Sequence, residues 1–234
     1  NEIVLIAGKG HELEQIYKNK TISFSDKKIV KNFKPKIKKL SNEEQNFSQN
    51  KKIIKEIVKG KKFNNFHGLS IDSRLVKKDN IFLTIKGKNN DGSTFIPNAL
   101  KKGAKYIITT KNSKKYKRKL ILVNDIIKFL NHFAGKKREL SKAKIFAITG
   151  SAGKTSLKNL IKELLDNYGE TYCSPKSYNN HYGVPLSLSQ LKTKHKFGIF
   201  EVGMSKPGEI NTLSKLIKPN IAIITNIGEA HIEN

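Results

Sequence analysis

A strand, a glycine-rich turn and a helix follow one another without a break in the second half of this chain. Lys144-Ile145-Phe146-Ala147-Ile148-Thr149 is a short apolar strand that runs into Gly150-Ser151-Ala152-Gly153-Lys154-Thr155-Ser156. Leu157, Leu160, Ile161, Leu164, Leu165 and Tyr168 then recur at spacings of three and four, one apolar stripe closed by Gly169. A strand feeding a helix in this way is satisfied in a sheet with helices on its faces, so the chain is predicted to be α/β. The turn also carries chemistry. It points successive backbone N–H groups inward, and the helix N-terminus adds roughly half a positive charge, which together cradle phosphate oxygens. Lys154 is placed to reach the terminal phosphates, and the Thr155 hydroxyl to coordinate Mg²⁺. The usual spacing of such a turn has a further glycine where this chain has Ile148, so this is a shortened variant. Nucleotide binding is expected of Gly150, Ser151, Ala152, Gly153, Lys154, Thr155 and Ser156.

Two more apolar strands extend this segment, Phe197 to Val202 and Ile221 to Thr225. In an open parallel sheet the ligand sits outside the carboxyl ends of the strands. Glu201 stands at one such end, where an acid can hold a metal on the phosphates or simply lie at the surface beside a turn. His231, in Thr225-Asn226-Ile227-Gly228-Glu229-Ala230-His231, faces the same rim if the strands are parallel. From the residue alone it is a ligand or a structural histidine.

Upstream, Ile53, Ile54, Ile57 and Val58 form a helical face stopped by Gly60. Strands are predicted over Leu69–Arg74, Asn80–Ile85, Tyr106–Thr109 and Leu120–Val123, with helices over Phe95–Lys102 and Ile126–Phe133. These make a small α/β domain over residues 51–140, followed by the turn-bearing domain over 141–234. Residues 1–32 form a separate piece, with a strand at Glu2–Ala7, a turn at Gly8-Lys9-Gly10-His11-Glu12 and alternation over Thr21–Asp26. Residues 33–50 are polar and lysine-rich with Pro35, and read as a linker.

Composition excludes several classes. The 234 residues have no apolar run near the roughly 18–20 residues that cross a bilayer, so no membrane span is expected. A single cysteine, Cys173, cannot make an internal disulfide and fits a reducing cytoplasm. The formal net charge of +27 would ordinarily raise nucleic acid as a partner. Yet only Arg74, Arg118 and Arg138 are arginines, and residues 141–234 carry only +5 of the excess. Readers of bases and phosphates favour the arginine fork, so the lysines read as solvated faces and no specific nucleic-acid partner is expected. A lysine-rich phosphate-loop protein that binds nucleic acid, with ATP as a switch, is the rival from another class. The chain starts at Asn1 and its only methionine is Met204, which suggests a fragment.

Four segments in order, Thr149–Ser156, Tyr178-Asn179-Asn180-His181-Tyr182-Gly183-Val184-Pro185, Glu201–Met204 with Pro207-Gly208-Glu209-Ile210, and Thr225–His231, resemble the Mur ligase family. Within it they resemble the branch that joins D-alanyl-D-alanine to UDP-N-acetylmuramoyl-tripeptide. Ile71-Asp72-Ser73-Arg74, Lys86-Gly87 and Asp91-Gly92 resemble the uridine-nucleotide-binding N-terminal domain of the same ligases, although the family often has His where this chain has Ser93. Ala7 to Glu12 resemble the end of a different branch, the one that adds the third peptide residue.

The resemblance implies a small uridine-nucleotide-binding α/β domain, then a truncated parallel-sheet ATPase domain, with a remnant of a Rossmann-like C-terminal domain at the start. It implies an amide ligase of cell-wall precursor synthesis that uses ATP and Mg²⁺ and works through an acyl phosphate. Gly150–Ser156 would bind ATP, with Lys154, Glu201 and His231 catalytic and Thr155, Glu201 and His231 around Mg²⁺. Asn180 and Asn226 would line the cleft, Ser73 and Arg74 would lie near the uridine diphosphate, and Gly8 and Glu12 would hold an incoming amino acid. In the family a lysine beyond the histidine segment and a closing C-terminal domain complete the site. Neither is expected within residues 1–234, so this piece alone should bind nucleotide weakly and ligate nothing. A ligase of the third-residue branch is the rival within the family.

Overall fold

The computed structural model describes residues 14–17, 20–23, 41–87, 90–175, 178–204 and 206–227. The chain divides into two compact units, residues 1–39 and 40–234. In the first, β1 (Glu14–Tyr17) and β2 (Lys20–Ser23) pair as an antiparallel hairpin. The strand expected at Glu2–Ala7 and the turn Gly8–Glu12 lie outside the described residues.

The second unit opens with helix α1 (Asn42–Ile57). Its first turns occupy residues expected to be linker, so residues 42–50 are helix and not linker. Ser41 accepts a hydrogen bond from the Glu44 N–H, and the Glu44 carboxylate accepts one from the Ser41 N–H, so the capping box starts a helix where composition alone shows a polar run. Asn46 and Asn50 then bury their amides, Asn50 donating to the His67 carbonyl and Asn46 accepting from the Thr193 N–H. The buried apolar positions of the helix are Ile53 and Ile54.

Four parallel strands follow in chain order across one sheet: β3 (Leu69–Ser70), β4 (Ile81–Leu83), β5 (Tyr106–Thr109) and β6 (Leu120–Leu122). Strand β3 is shorter than expected because Asp72 accepts the Arg74 N–H at 2.9 Å and turns the chain. Helix α2 (Ile96–Lys101) is entered through a tight 3-10 turn capped by Asp91, and Gly103 leaves it at φ +96°. Helix α3 (Ile126–Leu140) outruns the predicted stretch. Asp125 caps it by accepting from the N–H groups of Ile127 and Lys128.

The last segment forms a second parallel sheet from β7 (Lys144–Thr149), β8 (Thr171–Cys173), β9 (Phe197–Glu201) and β10 (Ile221–Ile224), in spatial order β10-β7-β9-β8. Helix α4 (Lys154–Asp166) follows β7, α5 (Gly183–Ser189) precedes β9, and α6 (Glu209–Ile217) follows it. Only part of the stripe predicted on α4 turns inward, with Leu157, Ile161 and Leu165 half-buried. Leu160, Leu164 and Tyr168 are exposed, and the buried residue of the helix is Lys158.

The two sheets share packing. Leu186 of α5 is buried in the core of the first sheet with Phe66, Phe129 and Phe133, and Tyr178 and Tyr182 pack against it. Arg138 at the end of α3 donates to the carbonyls of Ile217 and Lys218, both at 2.7 Å, and Gln190 donates to the Leu69 carbonyl at 2.9 Å. Among the described residues no helix is long and apolar enough to cross a membrane.

Candidate nucleotide and metal site

The register of the second sheet decides which residues meet. Ile148 pairs with Glu201 and Thr149 with Ile224, so the turn after β7, the end of β9 and the residues after β10 share one rim. Gly150 and Gly153 adopt φ +131° and +77°, conformations that side chains rarely adopt. A Cβ on Gly150 would fall 2.1 Å from Thr225 Oγ1. The turn is fastened to β10: the Ser151 N–H donates to the Asn226 carbonyl, the Ala152 N–H to Asn226 Oδ1 at 2.9 Å, and the Thr225 hydroxyl to the Ala152 carbonyl. Asn226 was expected to line the cleft, and its side chain holds the turn itself.

Lys154 opens α4 and folds its ammonium over the carbonyls of Gly150 and Ser151. Thr155 lies one residue further, and Ser156 is exposed in the same first turn. The Thr155 hydroxyl donates to Glu201 Oε2 at 2.8 Å, joining the N-terminus of α4 to the carboxylate of β9. Glu201 is only 5% exposed. Burial alone would push its pKa up. The hydrogen bonds from Thr155 and Asn179 and the charge of Lys158 outweigh that and hold it below the usual carboxylate value. The site therefore holds an ionised carboxylate, a hydroxyl and a helix N-terminus within one crevice.

Two residues of this arrangement escaped the sequence reading. Asn179 donates Nδ2 to Glu201 Oε1 at 3.1 Å, whereas its neighbour Asn180, the expected cleft residue, uses Oδ1 to accept from the Gly183 N–H at 2.9 Å, in the turn that leads into α5. Lys158 places Nζ 3.3 Å from Glu201 Oε2 and donates to the Ser174 carbonyl at 2.9 Å. The doubled asparagine was visible, but nothing in it said which amide turns inward. Lys158 follows Lys154 by one helical turn, a spacing that does place the two on the same side of α4.

The remaining expected residues are dispersed. Ser73 is buried and accepts from Asn98 at 3.1 Å, and Arg74 is exposed and paired with Asp72 at 2.7 Å, which lowers the Asp72 pKa chiefly through the hydrogen bond from Arg74. Both sit in the loop after β3, on the first sheet. Gly8, Glu12 and His231 lie outside the described residues. Among the described residues no group of three or more His, Cys, Asp and Glu side chains could hold a metal. The donors present are a carboxylate and a hydroxyl, both hard oxygens. That set suits Mg²⁺, which usually takes one or two carboxylates and completes its shell with phosphate oxygens and water.

Comparison with known proteins agrees with this architecture. Residues 65–150 match the Mur ligase family catalytic domain and residues 148–234 the Mur ligase middle domain. The chain is 42% identical over 170 residues to the UDP-N-acetylmuramoyl-tripeptide--D-alanyl-D-alanine ligase of Rickettsia prowazekii (strain Madrid E), covering 72% of this chain and 38% of that protein. The ligase of the same name from Bacillus subtilis (strain 168) is 31% identical over 191 residues, covering 78% and 42%. Among solved structures, MurF from Acinetobacter baumannii superposes with a TM-score of 0.67 at 28% identity, over 80% of this chain and 41% of that one. MurF ligase from Thermotoga maritima in complex with ADP gives 0.60 at 32% identity, over 71% and 39%. The chain thus spans about two-fifths of the length of these relatives.

Proposed function

The chain belongs to the Mur ligase family, and from that premise we propose that it supplies the nucleotide-gripping and UDP-substrate-binding parts of a cytoplasmic ligase that joins D-alanyl-D-alanine to UDP-N-acetylmuramoyl-tripeptide in peptidoglycan synthesis. The observation that carries this reading is the 2.8 Å contact between the Thr155 hydroxyl and the Glu201 carboxylate, at the mouth of the turn that leads into α4. Within the turn Gly150–Ser156, where the Ser151 and Ala152 N–H groups stay on Asn226, the N-terminus of α4 at Lys154–Ser156 takes the ATP phosphates, and Lys154 swings from the turn carbonyls onto their charge. Thr155 and Glu201 would hold Mg²⁺, with His231 as a further ligand. A metal held there would supply positive charge against that of the transferring phosphoryl group.

The phosphoryl group passes from ATP to the carboxylate of the tripeptide, releasing ADP. The amine of the incoming dipeptide then attacks the acyl carbon, the C–O bond to phosphate breaks, and the amine sheds a proton. Ser73 and Arg74, in the loop after β3, would face the uridine diphosphate end of the substrate. Isothermal titration with MgATP and with UDP-N-acetylmuramoyl-tripeptide tests the assignment. Lys154→Ala is expected to weaken only the first by about tenfold or more, and Arg74→Ala only the second. Full MgATP affinity in Lys154→Ala would contradict the reading.

A further inference from the structure

Lys158 is 1% exposed in the interior of the second sheet's helix layer. Taking an ammonium out of water costs several kcal/mol unless it is well paired, and a leucine or methionine would fill the same space without that cost. The structure gives the ammonium a neutral acceptor, the Ser174 carbonyl, and one opposite charge, the Glu201 carboxylate at 3.3 Å. Glu201 is held on three sides: Oε2 accepts from Thr155 and faces Lys158, and Oε1 accepts from Asn179. The backbone N–H of Glu201 donates to Ser174 Oγ at 3.1 Å, so the strand end is fixed to the same loop that Lys158 grips. The carboxylate and its buried counter-charge therefore sum to zero before any ligand arrives.

We propose that Lys158 is a resident counter-cation that stands in for the divalent metal, keeping the affinity of the nucleotide-free site for Mg²⁺ low and drawing in the polyphosphate that brings the metal with it. A divalent cation approaching Glu201 alone meets a neutral pair and the repulsion of a fixed ammonium. Triphosphate, which the Glu201 carboxylate alone would repel, meets the same neutral pair and so feels the charge of Lys154 and the helix N-terminus undiminished. The proposal rests on the reading of the turn and Glu201 as a metal–nucleotide site. It assigns Lys158 a positioning and electrostatic part rather than contact with reacting atoms.

The test compares the wild-type chain with Lys158→Met and Lys158→Arg, using Mn²⁺ binding followed by electron paramagnetic resonance and, in EDTA, the affinity for a fluorescent ATP analogue. Lys158→Met is expected to bind Mn²⁺ alone at least about fivefold more tightly and the metal-free nucleotide more weakly, while Lys158→Arg stays near wild type in both. A side chain with a purely structural part would loosen Glu201 and weaken both ligands together. Mn²⁺ affinity unchanged or weakened in Lys158→Met overturns the proposal. If the wild type binds nucleotide, only this inference falls. If it binds neither nucleotide nor Mn²⁺ with nucleotide, the metal–nucleotide reading falls with it.

Discussion

In the first sheet the strands lie in chain order, β3-β4-β5-β6, and β4 is buried at every position. In the second the order is β10-β7-β9-β8: the chain leaves β7 to reach the far edge at β8, returns inward to β9 and crosses to β10 on the other edge. Parallel pairing and short apolar strands are common to both. Strand order is what differs. A monotonic order keeps every crossover on the same course, whereas a reversal makes connections diverge and opens a crevice beyond the carboxyl ends of the central strands. That crevice is where the turn after β7, Glu201 of β9 and Asn226 after β10 meet. The first sheet instead contributes bulk, with Phe66, Leu83, Ile108 and Phe133 all fully buried, and an exposed ion pair at Asp72 and Arg74.

If the sheets divide the work this way, Phe133→Ala should cost about 3–5 kcal/mol of stability through the cavity it leaves. Chemical denaturation measures the loss. The nucleotide affinity of the folded fraction, taken well below the melting temperature, should be unchanged, and a parallel loss of affinity would break the comparison.

The junction between the sheets offers a smaller, pH-dependent effect. Lys137 of α3 is 2% exposed, and its ammonium is bonded to Gln49 at 2.7 Å. Burial, with some repulsion from Lys192, pulls its pKa down to about 7. Below that value the charged amine is held in the fold at a cost. Between about 7 and its ordinary value of 10.5 the unfolded chain binds more protons than the folded one, so stability rises with pH across that window. Lys137→Met should flatten the rise and gain on the order of 2 kcal/mol at neutral pH. Denaturation midpoints of the two proteins from pH 6.5 to about 10 check it.

The strand, turn and helix at 144–166 were legible because glycine and lysine there answer backbone and charge requirements that few other residues meet. Glu201 was legible because a strand end in a parallel sheet is a defined place. What stayed hidden depended on tertiary partners. Strand β8 is three residues long, and α5 is buried on every side, so neither carries a periodic signal. Asn179 and Asn180 are alike in sequence, and they are told apart by tertiary partners: the Gly203 N–H holds the Asn179 carbonyl beside Glu201, while Asn180 turns its side chain to the Gly183 N–H. Lys158 looks like one more solvated lysine until Glu201 and Ser174 surround it. The start of α1 was misread because lysine and asparagine outweighed the Ser41–Glu44 box in the composition.

That box gives the smallest of the expected effects. Ser41→Ala should lower stability by about 1 kcal/mol, measured by thermal unfolding, and leave nucleotide binding at the second sheet untouched. A change in nucleotide affinity would mean that α1 acts on the crevice, which the comparison of the two sheets does not foresee.

The joint grip of the turn and Glu201 on a metal-bound triphosphate is tested most directly by ATP affinity measured with Mg²⁺ and again with EDTA, in the wild type and in Glu201→Gln. The account predicts that Mg²⁺ tightens ATP binding about tenfold or more in the wild type and that the glutamine variant loses most of that gain. An equal gain from Mg²⁺ in both proteins would contradict it.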